Sequence, residues 1–188
     1  MQLAPVTPGD AADIAALLDE CFGPERHLRT AYRLRSAAEP VPQLGRLMRA
    51  QDGRLIGSVQ YWRLGLIAEG RMEPLMLLGP LAVTPAARRH GVGRRLLEAS
   101  LALADGGHGA PILLIGDPGY YGRFGFSAAA TAGWKLPGPV ERHRLLLRRP
   151  AGGTLPHVAE VRGSTCQPAM PAGAAAGRGD SYRPLAAV

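Results

Sequence analysis

The stretch from Leu75 to Ile115 constrains the fold of this chain more than any other. Leu75 to Val83 (LMLLGPLAV) is almost wholly apolar, the pattern of a strand buried on both faces. Gly79 and Pro80 interrupt it, and neither supports a regular central strand, so a bulge or splay is expected there. After Thr84-Pro85 comes the loop Arg88-Arg89-His90-Gly91-Val92-Gly93. Helical spacing begins at once, with Leu96, Leu97, Leu101 and Ala104 on one face, and Asp105-Gly106-Gly107 closes it. Pro111 to Ile115 (PILLI) reads as a second buried strand. The unit is βαβ, so its strands are predicted to run parallel.

The loop at the helix start suits a diphosphate. Unpaired backbone N–H groups and fixed arginines meet there. Gly91 and Gly93 let the backbone approach a ligand closely. A P-loop needs GxxxxGK[ST], which is absent, and the only lysine is Lys135. A dinucleotide fingerprint needs a third glycine where Leu96 stands. What matches is [QR]xxGx[GA], as Arg88-x-x-Gly91-x-Gly93. This resembles the acetyl-CoA diphosphate loop of the GNAT N-acetyltransferase superfamily.

A second segment, GDPGYYGRFGF at 116–126, carries the same resemblance. It is similar to the YxxxGF ending of GNAT domains, with Tyr121 four residues before Gly125. Both segments resemble the YhbS-like branch of small bacterial GNAT proteins, over about residues 44–149. The fold this implies is α/β: a mixed twisted sheet of the GNAT type, helices on both faces, and a splay between two central parallel strands. The implied activity is transfer of an acetyl group from acetyl-CoA, as co-substrate, to an amine by direct attack in a ternary complex. The alternative is a non-catalytic module that senses acyl-CoA or binds a partner. The acceptor is a small-molecule or peptide amine.

On this resemblance the backbone of Leu81, Ala82 and Val83 pairs with the pantetheine arm, and one N–H polarises the thioester carbonyl. Backbone N–H groups from Gly91, Val92, Gly93 and Arg94 hold the diphosphate, with Arg88, Arg89 and Arg94 as charged partners. His90 either touches a phosphate or stands in solvent. Tyr121 is the general acid for the departing thiolate, or else a packing tyrosine. Tyr120 is expected to be structural. Asp117 is either the base for the amine or the N-cap of a short helix. Acceptor-facing residues are expected on the second helix (His27 to Tyr32), on the third strand (Tyr61 and Trp62) and at Trp134-Lys135. Cys21 lies far from the motifs in sequence, so no covalent enzyme intermediate is expected. The five histidines are scattered and suggest no metal site.

Charge is uneven along the chain. Residues 1–84 carry nine arginines and nine acids, whereas residues 85–150 carry ten cationic residues against four acids. The excess sits in the half with the glycine loop, where it favours capture of an anion such as CoA. A nucleic-acid surface is the competing reading, disfavoured because no basic run is interleaved with aromatics. The N-terminus has neither a basic start nor an apolar stretch, and no run reaches membrane-span length. Two separated cysteines, Cys21 and Cys166, suggest reduced thiols. A cytoplasmic protein, monomer or homodimer, is expected.

Further elements follow from local signals. Thr7, Pro8 and Asp10 mark a capped helix start, and a second helix spans Glu25 to Ala37. Strands are predicted at Leu3–Val6, Leu44–Ala50, Leu55–Ile67, Phe126–Ala130 and His143–Arg148. Residues 1–150 read as one domain. Residues 151–188 read as an extension, partly low-complexity and mobile, in which Leu155–Val161 can add an edge strand.

Overall fold

The computed structural model describes residues 1–107, 109–149 and 154–165. Its strands are β1 (Gln2–Pro5), β2 (Arg46–Arg49), β3 (Leu55–Ala68), β4 (Arg71–Val83), β5 (Ile112–Ile115), β6 (Gly133–Lys135), β7 (Leu145–Arg148) and β8 (Val158–Gly163). Its α-helices are α1 (Ala11–Phe22), α2 (Thr30–Arg35), α3 (Val92–Gly107) and α4 (Pro118–Tyr121). The strands form one eight-stranded mixed sheet in the order β1-β2-β3-β4-β5-β7, with β8 pairing both β3 and β6. The β4–β5 pair is parallel, as the intervening helix requires.

Period-two alternation sorts the core onto two faces. Met76 and Leu78 of β4, Ile112 and Leu114 of β5 and Leu146 of β7 pack under α3. Their neighbours Leu75, Leu77, Leu113, Leu145 and Leu147 face the other way, toward Leu34 of α2 and Trp134. On that second face, Ile14, Leu17 and Leu18 of α1 cover Leu47, Leu55 and Ala82. Both faces of the sheet are therefore dry, which explains why β4 and β5 read as continuous apolar runs. Leu96 and Leu97 are wholly buried, and truncating either to alanine removes about 2–5 kcal/mol. Gly57 admits α3 closely: a Cβ there would lie 2.8 Å from Val92 Cγ1.

Several expectations are corrected. The second helix is split: a 3₁₀ turn covers Pro24–Leu28, Arg29 is extended, and only α2 is α-helical. Phe126–Ala130 forms no strand, because only Ser127 bridges to Leu147. The segment predicted at His143–Arg148 begins with a 3₁₀ turn, so the strand proper is β7. The strand expected near Leu155–Val161 is β8, and it is no edge, since β6 runs parallel to it on its far side. The sheet thus draws on residues beyond Pro150. Cys166 and residues 168–180 lie outside the described residues.

Candidate active site

β4 bonds to β5 at only two register positions, Met76–Ile112 and Leu77–Leu113. Beyond Leu77 the two strands part, and β4 continues to Val83 with β3 alone as its neighbour. The register against β3 slips between Val59 and Tyr61, opposite Gly79 and Pro80, where Gly79 adopts a φ of 131°. The glycine–proline step therefore acts as the expected bulge. Thr84 donates to Ile56. Alternation along an antiparallel pair then turns Ala82 toward Ser58, and turns the polar groups of Leu81 and Val83 away from β3 into the splay. The Val83 carbonyl confirms this, for it accepts from Cys21 Sγ at 3.3 Å and from Arg88 Nε at 3.3 Å.

The glycine loop lies at the end of β4. Pro85–His90 forms a 3₁₀ turn, and Gly91 reverses it with a left-handed φ of 69°. The first bond of α3 runs from Arg95 N–H to the Gly91 carbonyl. The N–H groups of Val92, Gly93 and Arg94 thus have no intrahelical acceptor and carry the positive end of the helix dipole. Val92 is fully buried, backbone included, and does not line the cavity beside it, so contrary to expectation the open donors lie at Gly93 and Arg94. Arg88, Gly91, Gly93 and Arg94 line a cavity of about 380 Å³ together with Val83 and Tyr120. Arg94 also pairs with Glu98 at 2.7 Å. Arg89 and His90 are exposed and border neither this cavity nor the next.

A second cavity, about 660 Å³, opens on the other side of the splay. Phe22 and Leu81 line both, so the two adjoin along β4. Tyr121, Asp117, Tyr32 and Arg35 are on its wall. Gly116 has no Cβ for a reason: one there would collide with the Tyr121 ring. That ring is held edge-on by Phe126, with centroids 6.0 Å apart. Burial pushes the Tyr121 phenol well above its ordinary pKa; Tyr120 and Asp117 push the same way, and Arg144 pulls back. The hydroxyl therefore stays protonated at neutral pH, the form a proton donor needs. Asp117 caps α4, its Oδ1 accepting from Gly119 N–H at 3.1 Å, and Oδ2 is left outside the cap.

Some residues fall elsewhere than expected. Tyr61 is 1% exposed and bonds Ser100 Oγ at 2.9 Å beneath α3, so it faces no acceptor. Trp134 is fully buried, its indole N–H donating to the Pro156 carbonyl at 3.0 Å. Lys135 beside it is exposed and borders neither cavity. Tyr120, expected to be structural, lines the glycine-loop cavity. Cys21, remote in sequence, lines it too. Burial and Glu20 raise the Cys21 thiol, while Arg88 and the bond to Val83 oppose them. Among the described residues no group of three or more His, Cys, Asp or Glu is placed to hold a metal ion, and no helix is long and apolar enough to cross a membrane.

Sequence reasoning missed Arg35. It lies between the rings of Tyr32 and Trp62, its guanidinium carbon 4.3 Å from each centroid. An arginine-rich helix offers no local signal for which arginine turns inward.

Comparison with known proteins adds four findings. Residues 2–129 match the acetyltransferase (GNAT) domain family. The N-acetyltransferase YhbS of Escherichia coli (strain K12) is 32% identical over 124 residues, an alignment covering 65% of this chain and 71% of YhbS. Among solved structures, YhbS from Escherichia coli in complex with CoA superposes with a TM-score of 0.68 at 24% identity, covering 87% of this chain and 89% of that one. A GNAT family acetyltransferase from Brucella melitensis in complex with acetyl-CoA gives 0.63 at 25% identity, covering 87% and 96%.

Proposed function

The chain belongs to the GNAT acetyltransferase family, and from that premise we propose that it moves an acetyl group from acetyl-CoA to an amine by direct attack in a ternary complex. One observation carries this reading: β4 runs past its last β5 partner with an open backbone edge, between a glycine-started helix and a cavity walled by Tyr121. The Brucella melitensis relative, solved with acetyl-CoA, supports the choice of acyl donor.

The residues present fit that donor. The N–H groups of Gly93 and Arg94, with Arg88 and Arg94 beside them, suit a diphosphate. Leu81 and Val83 offer outward backbone groups that can pair with an amide-containing arm as a strand would. An outward N–H on this edge also suits the oxygen of a polarised thioester carbonyl. When bound, acetyl-CoA supplies a carbonyl that an amine attacks and a thiolate that leaves.

The chain's own groups then manage two protons. Tyr121 carries its proton at neutral pH and donates it to the leaving sulfur. Asp117, on the same cavity wall, takes the proton that the attacking amine loses. Cys21 takes no part as a nucleophile: its raised pKa keeps it a thiol, and among the described residues no histidine borders its cavity to activate it.

Acetyl-CoA is expected to raise the unfolding temperature by mass action, with NAD giving little. Free thiol release on adding amines then reads transfer. Stabilisation with no thiol released from a broad amine panel would make the chain a sensor of acyl-CoA. Equal stabilisation by NAD would remove the assignment of acetyl-CoA as the ligand of this site.

A further inference from the structure

Two arginines pack against Tyr32, and they differ in one respect. Arg26 is 6% exposed and paired: it donates to Asp19 Oδ1 at 2.7 Å and to the Tyr32 hydroxyl at 2.8 Å. Among the described residues Arg35 has no carboxylate, and its Nε and Nη1 are buried without a hydrogen-bond partner. Among the described residues the Tyr32 hydroxyl is the one polar group favouring its charge, and that oxygen already serves Arg26; Arg26 itself repels it. Burial pulls the Arg35 pKa down, yet a guanidinium remains charged at any physiological pH.

A half-sequestered cation without a counter-ion is costly, and stacking on two rings offsets only part of that cost. The fold nevertheless fixes the helix that carries Arg35. Thr30 Oγ1 ties α2 to the Pro139 carbonyl at 2.5 Å, and Arg33 reaches the Pro137 carbonyl at 3.3 Å. Gly163 of β8 packs so closely under the helix that a Cβ there would lie 2.6 Å from the Leu34 carbonyl. The result is a rigid cation on the wall of the cavity that also holds Tyr121 and Asp117.

We propose that Arg35 binds a carboxylate on the acceptor, so that the amines acetylated are those that also carry a carboxylate, amino acids and their close relatives. This rests on the reading of the second cavity as the acceptor site. The geometry favours a compact anion: the rings of Tyr32 and Trp62 flank the guanidinium and Nε and Nη1 are buried, which leaves Nη2 as the donor that a carboxylate oxygen can meet in a charge-assisted hydrogen bond. The amine end of such a molecule is then directed along the cavity toward Asp117 and Tyr121. The cavity's own carboxylates do not compete. Asp117 caps α4, and Glu141 lies 3.6 Å from both His143 and Arg144.

Binding of reaction products tests this apart from turnover. Protein with and without CoA is titrated calorimetrically with N-acetylglycine, N-acetylleucine and N-acetylphenylalanine, and with the primary amide of each. At least one acid is expected to bind about 10–100-fold more tightly than its amide, the usual range for a charge-assisted contact. Arg35→Met, which keeps the stacked bulk, is expected to bring that ratio near one; Arg35→Lys is expected to keep part of it. Acids that bind no better than their amides, or a ratio unchanged in Arg35→Met, would overturn the inference even if some amine is acetylated. A phosphonate analogue binding more tightly than the carboxylate would overturn it as well. If CoA fails to bind, the acetyltransferase reading falls, while the acid-to-amide ratio still reports on Arg35.

Discussion

Tyr120 and Tyr121 stand edge to face, their ring centroids 4.9 Å apart and their planes at 89°. Adjacent in the chain, they therefore serve different cavities, Tyr120 the glycine-loop side and Tyr121 the side of Asp117 and Arg35. Tyr121→Phe is expected to lower the acetylation rate roughly 10²–10⁴-fold with CoA affinity nearly unchanged. Tyr120→Phe is expected to act on cofactor affinity rather than on the rate, because its hydroxyl sits over Gly93, 3.1 Å from where a Cβ would be. Steady-state kinetics with CoA titrations separates the two. Because burial raises the Tyr121 phenol, it stays protonated through about pH 10, the ordinary phenol value. No alkaline fall in kcat assignable to Tyr121 is expected at or below that pH, and one centred there would mean that the phenol is not held in the buried setting that raises it.

The glycine loop gives a second test. Gly91 needs its left-handed φ, but a Cβ there meets no heavy atom within 4 Å. Gly91→Ala is therefore a backbone experiment with no steric clash, costing about 1–2 kcal/mol of strain. Acetyl-CoA affinity is expected to fall more than the apoprotein's unfolding temperature does. Equal losses in calorimetry and melting would mean the loop is structural only.

Cys21 reports on occupancy of the first cavity. Its thiol is raised by burial and by Glu20, so alkylation by iodoacetamide at pH 7 is expected to be slower than for a free thiol. CoA at ten times its Kd is expected to slow it about tenfold further, by simple occupancy. Peptide mass spectrometry resolves Cys21 from Cys166. Alkylation indifferent to saturating CoA would place the ligand elsewhere.

Asp10 anchors the entry to α1. Its carboxylate accepts from Thr7 N–H at 2.8 Å and Thr7 Oγ1 at 2.6 Å, and pairs with Arg49 at 2.7 Å. Burial alone would raise its pKa, but these bonds outweigh burial and leave it below the ordinary value. The stability it contributes is present above the unfolded carboxylate value of about 3.9 and is lost as pH falls through the lower folded value. Asp10→Asn is expected to cost about 1 kcal/mol at pH 7, lowering Tm by about 2–4 °C. The difference from wild type should shrink below about pH 4. A gap that persists at pH 2 would assign the effect to packing.

What the sequence determined by itself is local. The apolar run Leu75–Val83 with its glycine–proline step, the Arg88–Gly93 loop, the helix behind it and the Tyr121–Gly125 spacing are contiguous, and each depends on neighbours within a few residues. Periodicity, capping and backbone freedom at glycine suffice to place them. The β4–β5 splay was legible for the same reason, since glycine and proline disrupt a strand wherever it packs. What only tertiary structure decided is which distant side chains meet these pieces. Tyr61 looked like a strand residue facing a ligand, but β3 passes beneath α3, and burial with Ser100 claimed it. Trp134 was claimed by the strand pairing of β6 with β8. Cys21 and Arg35 carry no local signal at all. One reaches the Val83 carbonyl because α1 crosses the sheet; the other is turned inward because two rings and β8 hold α2 over the second cavity. Short-range preferences act along the chain, whereas burial and charge pairing act through space, and the candidate acceptor site is built almost wholly from the second kind.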